Sequence, residues 1–215
     1  MNQRIVKICG ITTPESAVAC LDAGADIIGL VHYPPSPRHV DVKHIRDIID
    51  AVESNCSTAL RIALVVVDQL PDEIDSRITY LQAYGELSAS QRKRRDLPPR
   101  RIHVAKDHKT SERFFKNETP MELGLMPLYC LELSTGNMPG GNGAVWDWSI
   151  ARRFCEKLPA LLAGGITPEN VAKVIQRANP YGIDVSSGVE SALGIKDLDK
   201  VRRLIDIVRH SEGRD

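Results

Sequence analysis

Gly164-Gly165-Ile166-Thr167-Pro168-Glu169, near the end of the chain, echoes Cys9-Gly10-Ile11-Thr12-Thr13-Pro14-Glu15 near its start. In both, a short apolar run ends at glycine. A threonine then stands where it can cap a helix, a proline takes the first helical position and a glutamate follows in the first turn. Those choices satisfy the free N–H groups of a helix start and match its dipole. Two matched strand-to-helix junctions at opposite ends of one chain suit a closed barrel, where the first and last strands become neighbours.

The rest of the chain fills in the same alternation. Ile5–Cys9, Asp26–Val31 and Leu60–Val66 read as strands, the third nearly all apolar, as expected of a strand buried on both faces. Thr13–Ala23 reads as a helix stopped by Gly24, and Val42–Val52 carries apolar residues at helical spacing. Further on, Pro71–Ile78 reads as a short helix, Thr79–Ala83 as a weak strand, Ser88–Arg95 as a helix, Arg101–Ala105 as a strand and Thr110–Lys116 as a helix. Pro127–Glu132, Ala160–Ala163 and Tyr181–Val185 read as strands. Helices are expected at Trp148–Lys157, Pro168–Ala178 and Leu198–Arg209. Eight strand–helix units without a composition break predict one (β/α)8 barrel over residues 1–215, with a closed parallel sheet. The G-x-G-x-x-G fingerprint of a dinucleotide site is absent after the first strand.

Composition narrows the function. The chain has 215 residues, 42% apolar and 26% charged, with zero formal net charge. No global field draws it to nucleic acid or acidic membrane. The basic run Arg92-Lys93-Arg94-Arg95 with Arg100-Arg101 has no interleaved aromatics, and a solvated exterior is the simpler account. The five cysteines, Cys9, Cys20, Cys56, Cys130 and Cys155, form no CxxC pair, and no disulfide framework is expected. With no signal core and no apolar run long enough to span a bilayer, a reducing cytoplasm is the expected compartment. The six histidines lack i,i+4 or HxH spacing, so no metal site is expected.

In a barrel, chemistry sits at the C-terminal ends of strands and in the loops beyond them. Cys9 ends the first strand, near a helix N-terminus that can favour its thiolate. After the second strand, His32-Tyr33-Pro34-Pro35-Ser36-Pro37-Arg38 is stiffened by three prolines and can hold a guanidinium for an anion. Ala163-Gly164-Gly165 and Asp184-Val185-Ser186-Ser187-Gly188 follow strands seven and eight, where barrels bind phosphate, and Val189–Leu193 is long enough for the extra short helix of such sites. Glu132 ends strand six, and Gly140-Gly141-Asn142-Gly143 beyond it is flexible enough for a lid. Asp147 suits a helix cap better than a catalytic acid.

Lys7-Ile8-Cys9-Gly10-Ile11-Thr12, Ser36-Pro37-Arg38, Gly140-Gly141-Asn142-Gly143 with Asp147-Trp148, Gly164 to Val171, and Asp184 to Glu190 resemble the motifs of the phosphoribosylanthranilate isomerase family. The resemblance implies a (β/α)8 barrel that performs an Amadori rearrangement in tryptophan biosynthesis, without a cofactor, on a phosphorylated small molecule. It implies Cys9 as general base and Arg38 as the anchor of the anthranilate carboxylate. Gly164, Gly165, Ser186, Ser187 and Gly188 would cradle the phosphate. The family's general acid is an aspartate in a Leu-Asp step, which stands here as Leu131-Glu132, making Glu132 the candidate acid. The family's Gln-Leu-His-Gly stands here as Gln82-Ala83-Tyr84-Gly85. Lys7, Asp184 and Gly141 lie inside the matched motifs and are further site candidates. A related phosphosugar barrel with another substrate, or an inactive binding module, are the alternatives. The oligomeric state is left open by the sequence.

Overall fold

A computed structural model describes residues 3–56, 61–106, 128–132 and 147–211. Eight parallel strands close into a barrel in sequence order. They are β1 (Ile5–Cys9), β2 (Ile27–His32), β3 (Ile62–Val66), β4 (Tyr80–Ala83), β5 (Arg100–Ala105), β6 (Leu128–Leu131), β7 (Ala160–Leu162) and β8 (Gly182–Val185). The seam is the β1–β8 pair, with Val6 opposite Ile183 and Lys7 opposite Asp184. The expected barrel is therefore present.

Side-chain alternation splits the strands between two cores. Val6, Ile8, Ile28, Leu30, Leu64 and Ile183 belong to the core shared with the surrounding helices. Ile27, Ala63, Tyr80, Ile102, Leu128 and Leu161 form a second cluster inside the barrel. Burial on both faces explains why the strands read as nearly unbroken apolar runs. Outside lie α1 (Pro14–Asp22), α2 (Val42–Asn55), α3 (Ala89–Arg92), α4 (Arg152–Lys157), α5 (Val171–Ala178) and α6 (Leu198–His210). The Thr13 hydroxyl caps α1 by accepting from the Ser16 N–H, after which Pro14 opens the helix. Asp41 and Asp197 cap α2 and α6 in the same way. Arg4 clasps the chain's other end, donating to Asn179 Oδ1 at 2.8 Å and Ser211 Oγ at 3.0 Å.

Several expected helices differ. Pro71–Ile78 is a series of bends and turns rather than a helix. There the Asp75 carboxylate accepts from the backbone N–H and the guanidinium of Arg77, a local alternative to helical bonding. Ser88–Arg95 shortens to the four residues of α3. The segment from Pro168 begins as turns, and regular helix starts only at Val171. Trp148–Lys157 divides into a 3-10 turn, Trp148–Ala151, capped by Asp147, and α4. Val189–Leu193 is not a helix. A 3-10 turn over Ser187–Val189 leads into an antiparallel hairpin of β9 (Glu190–Ala192) and β10 (Ile195–Lys196). The helix expected at Thr110–Lys116 and the loop with Gly140-Gly141-Asn142-Gly143 lie outside the described residues. Among the described residues, no helix is long and apolar enough to cross a membrane.

Closure leaves no room for a side chain at Gly182. A Cβ there would lie 2.4 Å from the Ile5 carbonyl oxygen and 2.7 Å from Leu161 Cδ2. Gly182→Ala should therefore cost about 1–3 kcal/mol by overpacking. Urea unfolding checks this: the midpoint should fall with the slope unchanged, and an unmoved midpoint would mean that the seam is loose.

Candidate active site

The two-residue period of the strands builds the site in layers. Lys7, Gln82, Cys130 and Asp184 point inward from β1, β4, β6 and β8. Lys7 is fully buried, and its ammonium donates to both Asp184 oxygens, at 2.9 and 2.8 Å. Cys130 Sγ donates to Asp184 Oδ2 at 3.7 Å. Two residues further on, at the end of β1 and just past the ends of β4, β6 and β8, come Cys9, Tyr84, Glu132 and Ser186, and all four line one pocket. Arg38, Gly164, Gly165, Ser187, Gly188 and Asp184 line it too. Lys7 lies beneath this floor, and Gly141 falls outside the described residues.

Cys9 ends β1, and helix α1 follows from Pro14. Burial pushes the thiol pKa up, the Lys7 ammonium beneath opposes that rise, and Asp184 adds to it. Burial disfavours the Lys7 charge, but the groups around it, Asp184 foremost, together outweigh that cost and hold the ammonium protonated.

At the far side, Gly164 and Gly165 adopt φ of 90° and 65°, a left-handed turn that side chains disfavour. Asn170 fixes that turn, donating to the Gly165 carbonyl at 2.8 Å and accepting from Thr167 N–H at 2.9 Å. The Gly188 backbone touches the same loop: a Cβ there would meet the Ile166 carbonyl oxygen. The two glycine–serine segments thus form one continuous wall of backbone and hydroxyl groups, the surface that an ester phosphate needs.

Arg38 enters from the β2 loop. The loop is folded back by Ser36 N–H to the Tyr33 carbonyl at 2.8 Å and Val40 N–H to the Val31 carbonyl at 2.9 Å. Gly10 lets it in, since a Cβ there would lie 2.4 Å from Arg38 Cδ and 3.0 Å from Ser186 Oγ. The guanidinium donates through Nε and Nη2 to the two oxygens of Glu190, both at 2.7 Å. Lys196 Nζ donates to the same carboxylate at 2.9 Å and to the Ser186 carbonyl at 3.1 Å. These two cations hold Glu190 down to about 2, against the effect of its burial. Sequence reasoning missed Glu190 and Lys196 as site residues. Glu190 does stand at the end of the matched stretch Asp184 to Glu190, whereas Lys196 carries no such signal.

Glu132 stands across the mouth, buried, with Tyr84 Oη donating to its Oε2 at 3.0 Å. Gln82 Nε2 donates in turn to Tyr84 Oη at 3.2 Å, which directs the phenol proton at Glu132. Burial pushes the Tyr84 phenol well up, so it remains a neutral donor. The Lys106 ammonium sits 4.9 Å from the Tyr84 ring centre. The basic run lies elsewhere: Arg100 starts β5 at the opposite end of the barrel, and Arg94 is engaged by Asp96 and by the Pro71 and Asp72 carbonyls.

Fold and site define a class, a (β/α)8-barrel enzyme with acid–base groups and fixed cations at its C-terminal mouth. The chain belongs to the family described as N-(5'phosphoribosyl)anthranilate (PRA) isomerase, whose model matches residues 6–207. It is 39% identical over 214 residues to the N-(5'-phosphoribosyl)anthranilate isomerase of Desulfatibacillum aliphaticivorans, covering 95% of this chain and 92% of that one. Its fold superposes on phosphoribosyl anthranilate isomerase from Thermotoga maritima with a TM-score of 0.75 and 28% identity, over 95% of this chain and 98% of that one. A phosphoribosyl anthranilate isomerase in complex with reduced 1-(o-carboxyphenylamino)-1-deoxyribulose 5-phosphate matches at a TM-score of 0.71 and 26% identity, with coverage of 95% and 98%.

Two outcomes test the electrostatics. Alkylation of Cys9 by iodoacetamide, followed by peptide mass spectrometry, should rise with pH through and beyond the ordinary thiol range. In Lys7→Met the rise should move to still higher pH, because the thiolate loses its nearest cation. A lower midpoint in that variant would reject the account. Glu190, held below its unfolded value of 4.5, contributes stability that is present above 4.5 and lost as pH falls toward 2. Glu190→Gln should flatten that acid limb in denaturation curves, and an identical limb would show that the carboxylate is not stabilised by folding.

Proposed function

We propose that this chain is a phosphoribosylanthranilate isomerase. It would convert N-(5-phosphoribosyl)anthranilate to 1-(2-carboxyphenylamino)-1-deoxyribulose 5-phosphate, in tryptophan biosynthesis, as a single cytoplasmic barrel domain. The observation that carries this reading is the single pocket in which Cys9, Glu132, Arg38 and the two glycine–serine segments meet. The substrate has a phosphate at one end and an aryl carboxylate at the other, and that pocket offers each a partner.

The reaction needs proton transfers and the opening of one C–O bond, with no outside oxidant or reductant. Glu132 is the proposed acid. It gives its proton to the ring oxygen as the C1–O bond breaks, and the nitrogen lone pair forms a C1=N iminium. Cys9, as thiolate, is the proposed base and takes the C2 proton. The C2–H electron pair moves into C1–C2, which neutralises the iminium as an enolamine, and tautomerisation gives the C2 ketone. The iminium charge acidifies the C2 proton and also draws the Cys9 thiol toward ionisation, offsetting the burial that raises its pKa. Anchoring both ends fixes the sugar between acid and base. Such orientation matters because a misplacement near 1 Å costs about a hundredfold in rate. Glu132 carries one methylene more than an aspartate, and its Tyr84 hydrogen bond fixes where the longer carboxyl sits.

Loss of substrate fluorescence during turnover is the test. Cys9→Ala and Glu132→Gln should each lower kcat by about a hundredfold or more, as expected for loss of a general base or acid, while substrate still binds. Retained turnover in Cys9→Ala would remove the base assignment. No conversion by the unmodified protein would remove the proposed activity itself.

A further inference from the structure

The hairpin Glu190–Lys196 stands beside the site, and the mechanism above gives it no task. Its three features converge on Arg38. Glu190 grips the Nε/Nη2 edge of the guanidinium, and Lys196 grips Glu190. At the tip, Leu193 lines the pocket while remaining 69% exposed. The tip is pinned beside the Arg38 loop, with Thr12 Oγ1 donating to the Gly194 carbonyl at 2.9 Å. A Cβ on Gly194 would lie 3.3 Å from the Pro37 carbonyl oxygen.

The arithmetic of donors and charges explains the arrangement. Arginine has five N–H donors in a planar fork, and Glu190 takes two from one edge. The Nη1/Nη2 end keeps a parallel pair, the geometry for a second carboxylate. Alone, Glu190 would cancel the charge that such a carboxylate needs. Lys196 supplies the compensating charge, so Arg38, Glu190 and Lys196 together remain singly positive. The exposed Leu193 side chain at the same rim offers an apolar wall to a flat ring.

We propose that the β9–β10 hairpin selects the aryl-carboxylate end of the substrate, with Glu190 a positioning residue that presents the free end of Arg38 and Leu193 the wall for the ring. This rests on the isomerase reading for the substrate's identity, but it is testable by binding alone. Lys196 also donates to the Ser186 carbonyl, so the hairpin ties the carboxylate end to the phosphate segment.

The test measures affinity for two probes, reduced 1-(o-carboxyphenylamino)-1-deoxyribulose 5-phosphate and its phenylamino counterpart without the carboxylate. The unmodified chain should prefer the first. Glu190→Gln leaves Arg38 and Lys196 doubly positive but loses the two-oxygen grip on Arg38. If positioning governs selection, it should lower that preference about tenfold or more, the scale of a charge-assisted hydrogen bond. A raised preference would mean that charge alone decides and would overturn the positioning role. Leu193→Asp, at an exposed position that leaves the fold intact, should lower it at least about threefold by repelling the carboxylate. Neither variant should weaken the second probe comparably. A purely structural role for the hairpin would weaken both probes alike and would overturn the proposal, as would equal affinity of the unmodified chain for the two. If Glu190→Gln does not fold, Leu193→Asp decides: a full preference retained there rejects the wall. Absence of turnover with the preference intact would sink the isomerase reading and leave the hairpin's selectivity standing.

Discussion

The ion pair between Lys7 and Asp184 is the constraint around which the barrel is arranged. It joins the first strand of the barrel to the eighth, directly across the closing seam, and both partners are buried. Burying two charges is costly unless both are matched, and removing one partner of such a pair typically costs about 3–5 kcal/mol. Here each oxygen of Asp184 receives the ammonium, and Cys130 adds a further donor. A seam slipped by one residue would turn Lys7 and Cys9 outward together, so the pair and the pocket share one register.

That register also explains how a polar site sits on an apolar barrel. The interior is hydrophobic at its base, charged but internally neutral in the next layer, and open to substrate at the mouth. The middle layer sets the electrostatics of the upper one, because the Lys7 ammonium is the cation that opposes the desolvation of Cys9. Arg38 is managed the other way. It arrives from a loop and is fixed by carboxylate and lysine rather than by a strand.

The sequence disclosed the parts of this plan that depend on short-range rules. β1, β2, β7 and β8 were legible because burial on both faces writes them as apolar runs, and Thr13 and Pro14 marked the helix start. The stretch from Pro71 to Ile78 misled because Ile74 and Ile78 have helical spacing and are indeed buried. What defeats the helix is the Asp75–Arg77 interaction, a side-chain preference that periodicity does not register. In the site, Cys9, Glu132 and the glycine–serine segments followed from strand ends. The partners of Arg38 did not, since Glu190 is 152 residues away in the chain and its pairing is set only by closure. The charges that act on Cys9 were hidden for a related reason, since they come from the distant Asp184 and Lys196 as well as from the buried Lys7.

The seam has a consequence for the order of events in the cell. Lys7 and Asp184 are separated by 177 positions along the polypeptide. At a synthesis rate of about 5–20 residues per second, the first strand waits roughly 9–35 seconds for its counterpart to be made. Throughout that interval β1 has a lysine with no counter-ion and an unsatisfied edge, and β2 alone is on hand to cover one side. Whatever order the nascent chain acquires earlier, the ring cannot close until β8 has been made.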